Sequence, residues 1–205
     1  NAVVMYNFKE LEPLAESDIE YPKSEPYKLC TFSRVMKEKG IEDAINAVES
    51  VNAHFGRTVY TLDIFGQVDV EYKERFSQLE KSFPDYISYG GAIEANKSVE
   101  TLKSYFALLF PTYYKGEGFA GTLIDAMSAG VPVIASDWKY NPEFVVPGKT
   151  GVIIKNCNAE RLAEELINIA AAPEKWNSMR LFALKESEKY KPDIAARPLI
   201  DRING

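Results

Sequence analysis

Short apolar runs alternate with helix-patterned stretches from residue 28 to residue 171, and this alternation constrains the fold more than any other feature of the chain. Lys28–Arg34, Val59–Phe65, Tyr86–Tyr89, Phe106–Phe110, Val131–Ala135 and Gly151–Ile154 are strand-sized and rich in β-formers. Between the first two, Ile41, Ala44, Ile45, Val48 and Val51 fall at i, i+3, i+4, i+7 and i+10, one stripe of an amphipathic helix. Tyr72, Phe76, Leu79 and Phe83 mark a second helix, with Asp69 and Glu71 at its start. Further helices are predicted over 98–104, over 122–129 with Gly130 as C-cap and Pro132 just beyond, as a turn at 143–146, and over 159–171 and 174–190. Strands that take turns with helices pair in parallel, because each parallel crossover needs a long connection. The chain therefore reads as α/β, with one Rossmann-like, doubly wound parallel sheet of about six strands and helices on both faces. Residues 1–27, with Pro13, Pro22 and Pro26, read as a linker or interdomain segment, 28–190 as the domain, and 191–205 as a C-terminal tail.

Composition excludes several classes. The 205 residues are 46% hydrophobic and 26% charged, enough for a sizeable core and unlike a disordered chain. Lysine and arginine number 24 against 30 acids, a net charge of −6, and no long basic run offers a nucleic-acid surface. Two cysteines, Cys30 and Cys157, are too few for a disulfide framework and suit a reducing compartment. The longest apolar runs, 105–110 and 130–135, fall short of the ~20 residues of a spanning helix. The chain opens Asn1-Ala2 without a Met, which suits a processed product or a piece cut at an interdomain linker. The cytoplasm, or the inner face of a membrane, is the expected location.

Ligands of such sheets bind outside the carboxyl ends of the strands. The turns after Phe32, Phe110 and Ala135 should therefore carry the chemistry. After the first comes Arg34-Val-Met-Lys-Glu-Lys39-Gly40. Two cations beside a helix start suit an anion, and equally a solvated loop in which Lys37 and Lys39 pair with Glu38 or Glu42. After the second, Gly116, Glu117, Gly118 and Gly121 lead into a helix that opens near Thr122. Glycines permit close backbone approach to a phosphate or sugar, and Glu117 and Asp125 can face one ligand, or simply favour a helix N-terminus. After the third, Asp137 and Glu143 line the crevice or cap local turns. His54, the sole histidine, reads as a surface or boundary residue.

Taken in order, Pro111-Thr112, Glu117-Gly118-Phe119, Asp125-Ala126-Met127, Gly130-Val-Pro-Val-Ile-Ala-Ser-Asp137, Glu143-Phe-Val145 and Gly148-Lys-Thr-Gly151 resemble the donor-binding lobe of GT-B glycosyltransferases of the family-four type. Those are retaining enzymes that use nucleotide sugars. The likeness extends to Ser33-Arg34 with Glu38-Lys39-Gly40, to Ile64-Phe65-Gly66 and to the Tyr-Gly turn at 89–91, and spans roughly residues 28 to 170. The wording of the 113–126 and 136–141 stretches is similar to bacterial surface-polysaccharide enzymes.

The resemblance implies roles. Arg34 and Lys39 would hold the donor diphosphate as the sugar–phosphate bond breaks, and with Glu117, which would hold hydroxyls of the transferred sugar, they form the catalytic set. Gly118, Phe119, Ala120, Gly121 and Thr122 would lie near sugar and diphosphate, Asp125 would accept from the ribose, and Gly91, Ala92 and Ile93 would frame the base. The donor would be a nucleotide diphosphate sugar, with a UDP-sugar favoured, and no metal would be required. Partners would be a glycan or lipid-linked acceptor and an N-terminal acceptor lobe that has no counterpart here, without which the chain would be inactive and through which any membrane association would run. A non-catalytic module that binds nucleotide sugar or pairs with a partner is the alternative. Two departures stand out. Asp125 replaces the usual Glu and is one methylene shorter, and Ala120 stands where Gly or Pro is common.

Overall fold

The computed structural model describes residues 8–204, with the side chain of Asn204 excepted. The opening Asn1-Ala2 and the first seven residues of the 1–27 segment lie outside the described residues. In chain order the elements are β1 (Tyr27–Phe32), α1 (Ile41–Phe55), β2 (Tyr60–Phe65), α2 (Lys73–Glu80), β3 (Ile87–Gly91), α3 (Ser98–Leu102), β4 (Ala107–Phe110) and α4 (Gly121–Ser128). They continue as β5 (Val133–Ser136), α5 (Asn141–Phe144), β6 (Gly151–Ile154), α6 (Ala159–Ala170), α7 (Pro173–Asn177), α8 (Met179–Ser187), α9 (Pro192–Ala195) and α10 (Arg197–Asn204). All neighbouring strands pair in parallel in the order β3-β2-β1-β4-β5-β6. This is a Rossmann-like doubly wound sheet, and the order reverses between β1 and β4, which makes their carboxyl ends the topological switch point.

The period of two along each strand divides the core into two layers. Leu29, Leu62, Ile64, Leu109 and Ile134 face one side and meet the stripe of α1 together with α6 and Trp176. Cys30, Leu108, Phe110, Val133 and Ala135 face the other side and meet α4 and Ala183 of α8. Every member of the stripe read from sequence (Ile41, Ala44, Ile45, Val48, Val51) is buried, and His54 is exposed at the far end of the same helix.

Boundaries move where capping chemistry intervenes. Helix α4 stops at Ser128, and Gly130 adopts φ 64° just past its end. Gly130 N donates to Met127 O and Val131 N to Ala126 O, the paired closing bonds of a Schellman turn. Val131 therefore belongs to that turn, and β5 starts at Val133. The predicted helix 174–190 divides into α7 and α8. Fully buried Arg180 of α8 donates to Tyr105 O (2.8 Å) and Lys103 O (2.9 Å), so α8 is fixed against the turn into β4.

The segment ahead of β1 lies against the domain. Lys9 N donates to Tyr190 O and Leu14 N to Ser128 O, Ile19 is buried, and Asn177 Nδ2 donates to Pro22 O. Residues 191–203 are mostly helical, and Leu199, Ile200 and Ile203 are exposed. Among the described residues no helix is long and apolar enough to cross a membrane.

Candidate functional site

The two loops at the switch point are brought together by a contact with no room for a methyl group. Gly40 ends the β1–α1 loop at φ 73°, and a Cβ there would meet Pro111 O at 2.4 Å. Only glycine adopts that dihedral and that spacing without strain. Tyr113 N donates to Glu38 O (2.8 Å), a bond that joins the loop after β4 to the loop after β1.

Lys39 and Glu117 meet across this contact. Lys39 Nζ lies 2.6 Å from Glu117 Oε2, with side-chain exposures of 12% and 8%. The Thr112 hydroxyl donates to the same oxygen at 2.8 Å. The ammonium also sits 5.4 Å from the Phe110 ring and 5.3 Å from the Tyr114 ring, within cation–π range. Among the described residues no donor reaches Glu117 Oε1. Thr112, Tyr114 and Trp138 lie in the motifs quoted from sequence but were given no role there. Trp138 Nε1 donates to Tyr114 O (2.8 Å) and so ties this loop to the one after β5.

Arg34 is not part of that cluster. Val35 forms a parallel bridge with Val68 and is buried, which turns Arg34 outward. Its side chain is 55% exposed, with Nη1 3.4 Å from Asp69 Oδ2. Asp69 also caps the turn before α2 by accepting from Glu71 N.

The Glu117-Gly118-Phe119-Ala120 loop is anchored by its aromatic residue. Phe119 packs at 5.4 Å on Phe144 and 6.4 Å on Tyr190, and Ala120 is buried. Space beside Gly118 is open, and the amides of Gly118, Phe119 and Ala120 find no acceptor among the described residues. Gly121 and Thr122 open α4, and the Thr122 hydroxyl is committed to Phe32 O at 2.7 Å.

Beside that helix start lies a cleft of about 460 Å³ between β1, β2 and α4. Phe32, Phe65, Ile93 and Ala92 give it apolar walls, and Ser98, Thr122 and Asp125 give it polar ones. Gly91 ends β3 at φ 73°, and its carbonyl accepts from Gly66 N, which fixes the turn that presents Ala92 and Ile93. Asp125 is 3% exposed, and both of its oxygens accept from Lys9 Nζ, at 2.6 and 2.7 Å, while the Ser98 hydroxyl donates to Oδ1 at 3.2 Å. Burial pushes the Asp125 carboxyl above its ordinary range, and Lys9 and Ser98 oppose that rise. Lys9 was not a candidate from sequence, for it is separated from its partner by 116 positions.

Asp137 and Glu143 bound the loop after β5 without entering the cleft, whereas buried Asn141 donates to Ser136 O there. A second cavity, beside Glu165 and Trp176, lies at the amino ends of the strands, away from the switch point. Among the described residues no cluster of three His, Cys, Asp or Glu side chains could hold a metal ion.

Comparison with known proteins gives a consistent family. The model for "Glycosyl transferases group 1" matches residues 15–185. The chain is 33% identical over 139 residues to the GtfA subunit of the UDP-N-acetylglucosamine–peptide N-acetylglucosaminyltransferase of Streptococcus gordonii, covering 66% of this chain and 26% of that protein. It is 26% identical over 184 residues to the poly(glycerol-phosphate) alpha-glucosyltransferase of Bacillus subtilis, covering 87% of this chain and 26% of that one. Among solved structures, Anabaena Alr3699/HepE in complex with UDP and glucose superposes with a TM-score of 0.80 at 16% identity, over 98% of this chain and 56% of that one. At that identity the likeness is one of fold. The chain spans well under half the length of these curated relatives.

Proposed function

Because the chain belongs to the glycosyl transferases group 1 family and shares the GT-B architecture, we propose that it is the donor-binding lobe of a retaining glycosyltransferase. The enzyme moves a hexose from a nucleotide diphosphate sugar, UDP-linked by preference, to a hydroxyl of a glycan or lipid-linked acceptor. We place it in cell-surface polysaccharide or glycoconjugate synthesis at the cytoplasmic side of the membrane. The names of the bacterial relatives, which add sugars to a peptide and to poly(glycerol phosphate), support the glycoconjugate part of that assignment. The acceptor is held by a second lobe, without which this chain does not turn over.

The observation that carries this reading is the shielded Lys39–Glu117 pair at the switch point, adjoining a cleft with apolar walls. The cleft takes the nucleoside, with the base at Ala92 and Ile93 and the ribose toward Asp125. The diphosphate then lies toward the free amides of Gly118–Ala120 and toward Lys39 and Arg34. In transfer, the bond from the anomeric carbon to the diphosphate oxygen breaks with its electron pair left on that oxygen. The acceptor hydroxyl oxygen forms the new bond to that carbon on the same face, and its proton passes to the departing diphosphate. Cations and amides aimed at the leaving oxygen stabilise the charge as it develops. Glu117 Oε2 is held by Lys39 and Thr112, which leaves Oε1 for a sugar hydroxyl. The side chains and amides take the place of a metal at the diphosphate.

Calorimetric titration of the chain with UDP, GDP and UDP-glucose tests the reading. A nucleotide should bind below millimolar concentration, and Glu117→Ala should lose whatever affinity the sugar adds while keeping that for the nucleotide. Absence of binding to all three at millimolar levels overturns it.

A further inference from the structure

The cleft has a cation of its own, and it comes from outside the sheet. Lys9 belongs to the segment ahead of β1, whose backbone is held at Tyr190 O and Ser128 O. The Lys9 ammonium bridges both oxygens of Asp125, and its Cδ and Nζ lie 3.8 Å from where a Cβ on Gly121 would stand. Lys9 and Asp125 are the charged side chains that line the cleft. Arg34 faces Asp69, and Lys39 is engaged by Glu117. An ammonium has three N–H donors, and two point at Asp125. The third finds no acceptor among the described residues, and the Lys9 side chain keeps 30% exposure against 3% for Asp125. A donor whose nucleoside fills the cleft brings its diphosphate past Gly121, beside a buried carboxylate, and an adjacent cation offsets the repulsion.

We infer that Lys9 is a binding residue for the donor diphosphate, with its ammonium bridging Asp125 and a phosphate oxygen. This rests on the donor-lobe reading above. The shortened acid at 125 then acts twice, facing the ribose and anchoring the cation that meets the phosphate.

The test uses the whole chain, with UDP, GDP and the corresponding nucleosides followed by amide chemical shifts and calorimetry. Wild type is compared with Lys9→Met, Lys9→Arg and the double variant Lys9→Met/Asp125→Asn, which carries no unpaired buried acid. The single Met variant should weaken the diphosphate by ~10-fold or more, the scale of a lost charge-assisted contact, and change the nucleoside by less than about 2-fold. The Arg variant should recover most of the loss, and the double variant should stay weak toward the diphosphate. Recovery in the double variant would mean that Lys9 only neutralises Asp125, and would overturn the inference. So would tighter diphosphate binding by Lys9→Met, the mark of a latch over Asp125, or an equal loss for diphosphate and nucleoside. Wild type that binds diphosphates, with Lys9→Met unchanged, overturns this inference alone. Wild type that binds none overturns the donor-lobe reading as well.

Discussion

Two lysine–carboxylate pairs stand at the same end of the sheet, both at 2.6 Å, and they are shielded in opposite ways. In Lys39–Glu117 both partners are nearly covered, the ammonium lies within cation–π range of two aromatic rings, and a hydroxyl shares the acceptor oxygen. In Lys9–Asp125 the acid is covered and the lysine is not. A pair covered on both sides is hard to replace by water, so losing one member leaves a stranded charge. A pair covered on one side lets the exposed member answer to something else, at smaller cost to the fold. The first pair is thus built into the loop structure, and the second is built around an acid whose partner stays accessible.

The largest effect should come from Lys39→Met, which strands Glu117 and should cost ~3–5 kcal/mol of unfolding free energy in urea titration. Adding Glu117→Gln should return most of that. If Lys39→Met cost no more than Lys9→Met, the contrast between the pairs would collapse.

Lys9→Met should cost less, about 2–3 kcal/mol at pH 7, because water reaches the lysine end. Its pH dependence sharpens the comparison. The folded Asp125 carboxyl already sits above its ordinary range through burial, and removing Lys9 takes away the group that opposes the rise. A folded value above the unfolded one means stability that is complete below the unfolded pKa and is lost as pH rises through the folded pKa. The Lys9→Met deficit should therefore be small near pH 4 and grow toward pH 7, and in an Asp125→Asn background it should be flat. A deficit that shrinks with rising pH would contradict the burial of Asp125.

The smallest effect on stability belongs to Arg34→Ala, within ~0.5 kcal/mol, since its contact with Asp69 is long and half-exposed. Its diphosphate affinity should nonetheless fall several-fold. A stability loss as large as that of either pair would place Arg34 in the loop structure.

The sheet was legible because its signal is local. Alternate residues of a strand go to opposite layers, and the stripe on α1 repeats within one helix, so short windows hold the whole pattern. Lys39 and Glu117 were legible as residues on loops at strand ends, and their position next to each other follows from the strand order. Arg34 and Lys39 follow the same strand, but which carboxylate each side chain meets was not legible. The buried Val35 bridge that turns Arg34 toward Asp69 depends on a partner on another loop. Lys9 could not be found, because nothing in a stretch rich in proline and acids marks one lysine for a partner 116 positions away. Arg180 was hidden for a related reason. An arginine in a mixed helix reads as solvent-facing, and only the tertiary structure reveals the Tyr105 and Lys103 carbonyls that receive it.

The missing methyl at Gly40 has a kinetic meaning. Because a Cβ at this position would fall 2.4 Å from Pro111 O, the first and fourth strand loops stand this close only with glycine there, and the Lys39–Glu117 pair forms across a spacing that the backbone permits. On the donor-lobe reading, an anion would meet these two loops already in contact. Capture should then run at the rate of encounter, with the ordering already completed during folding.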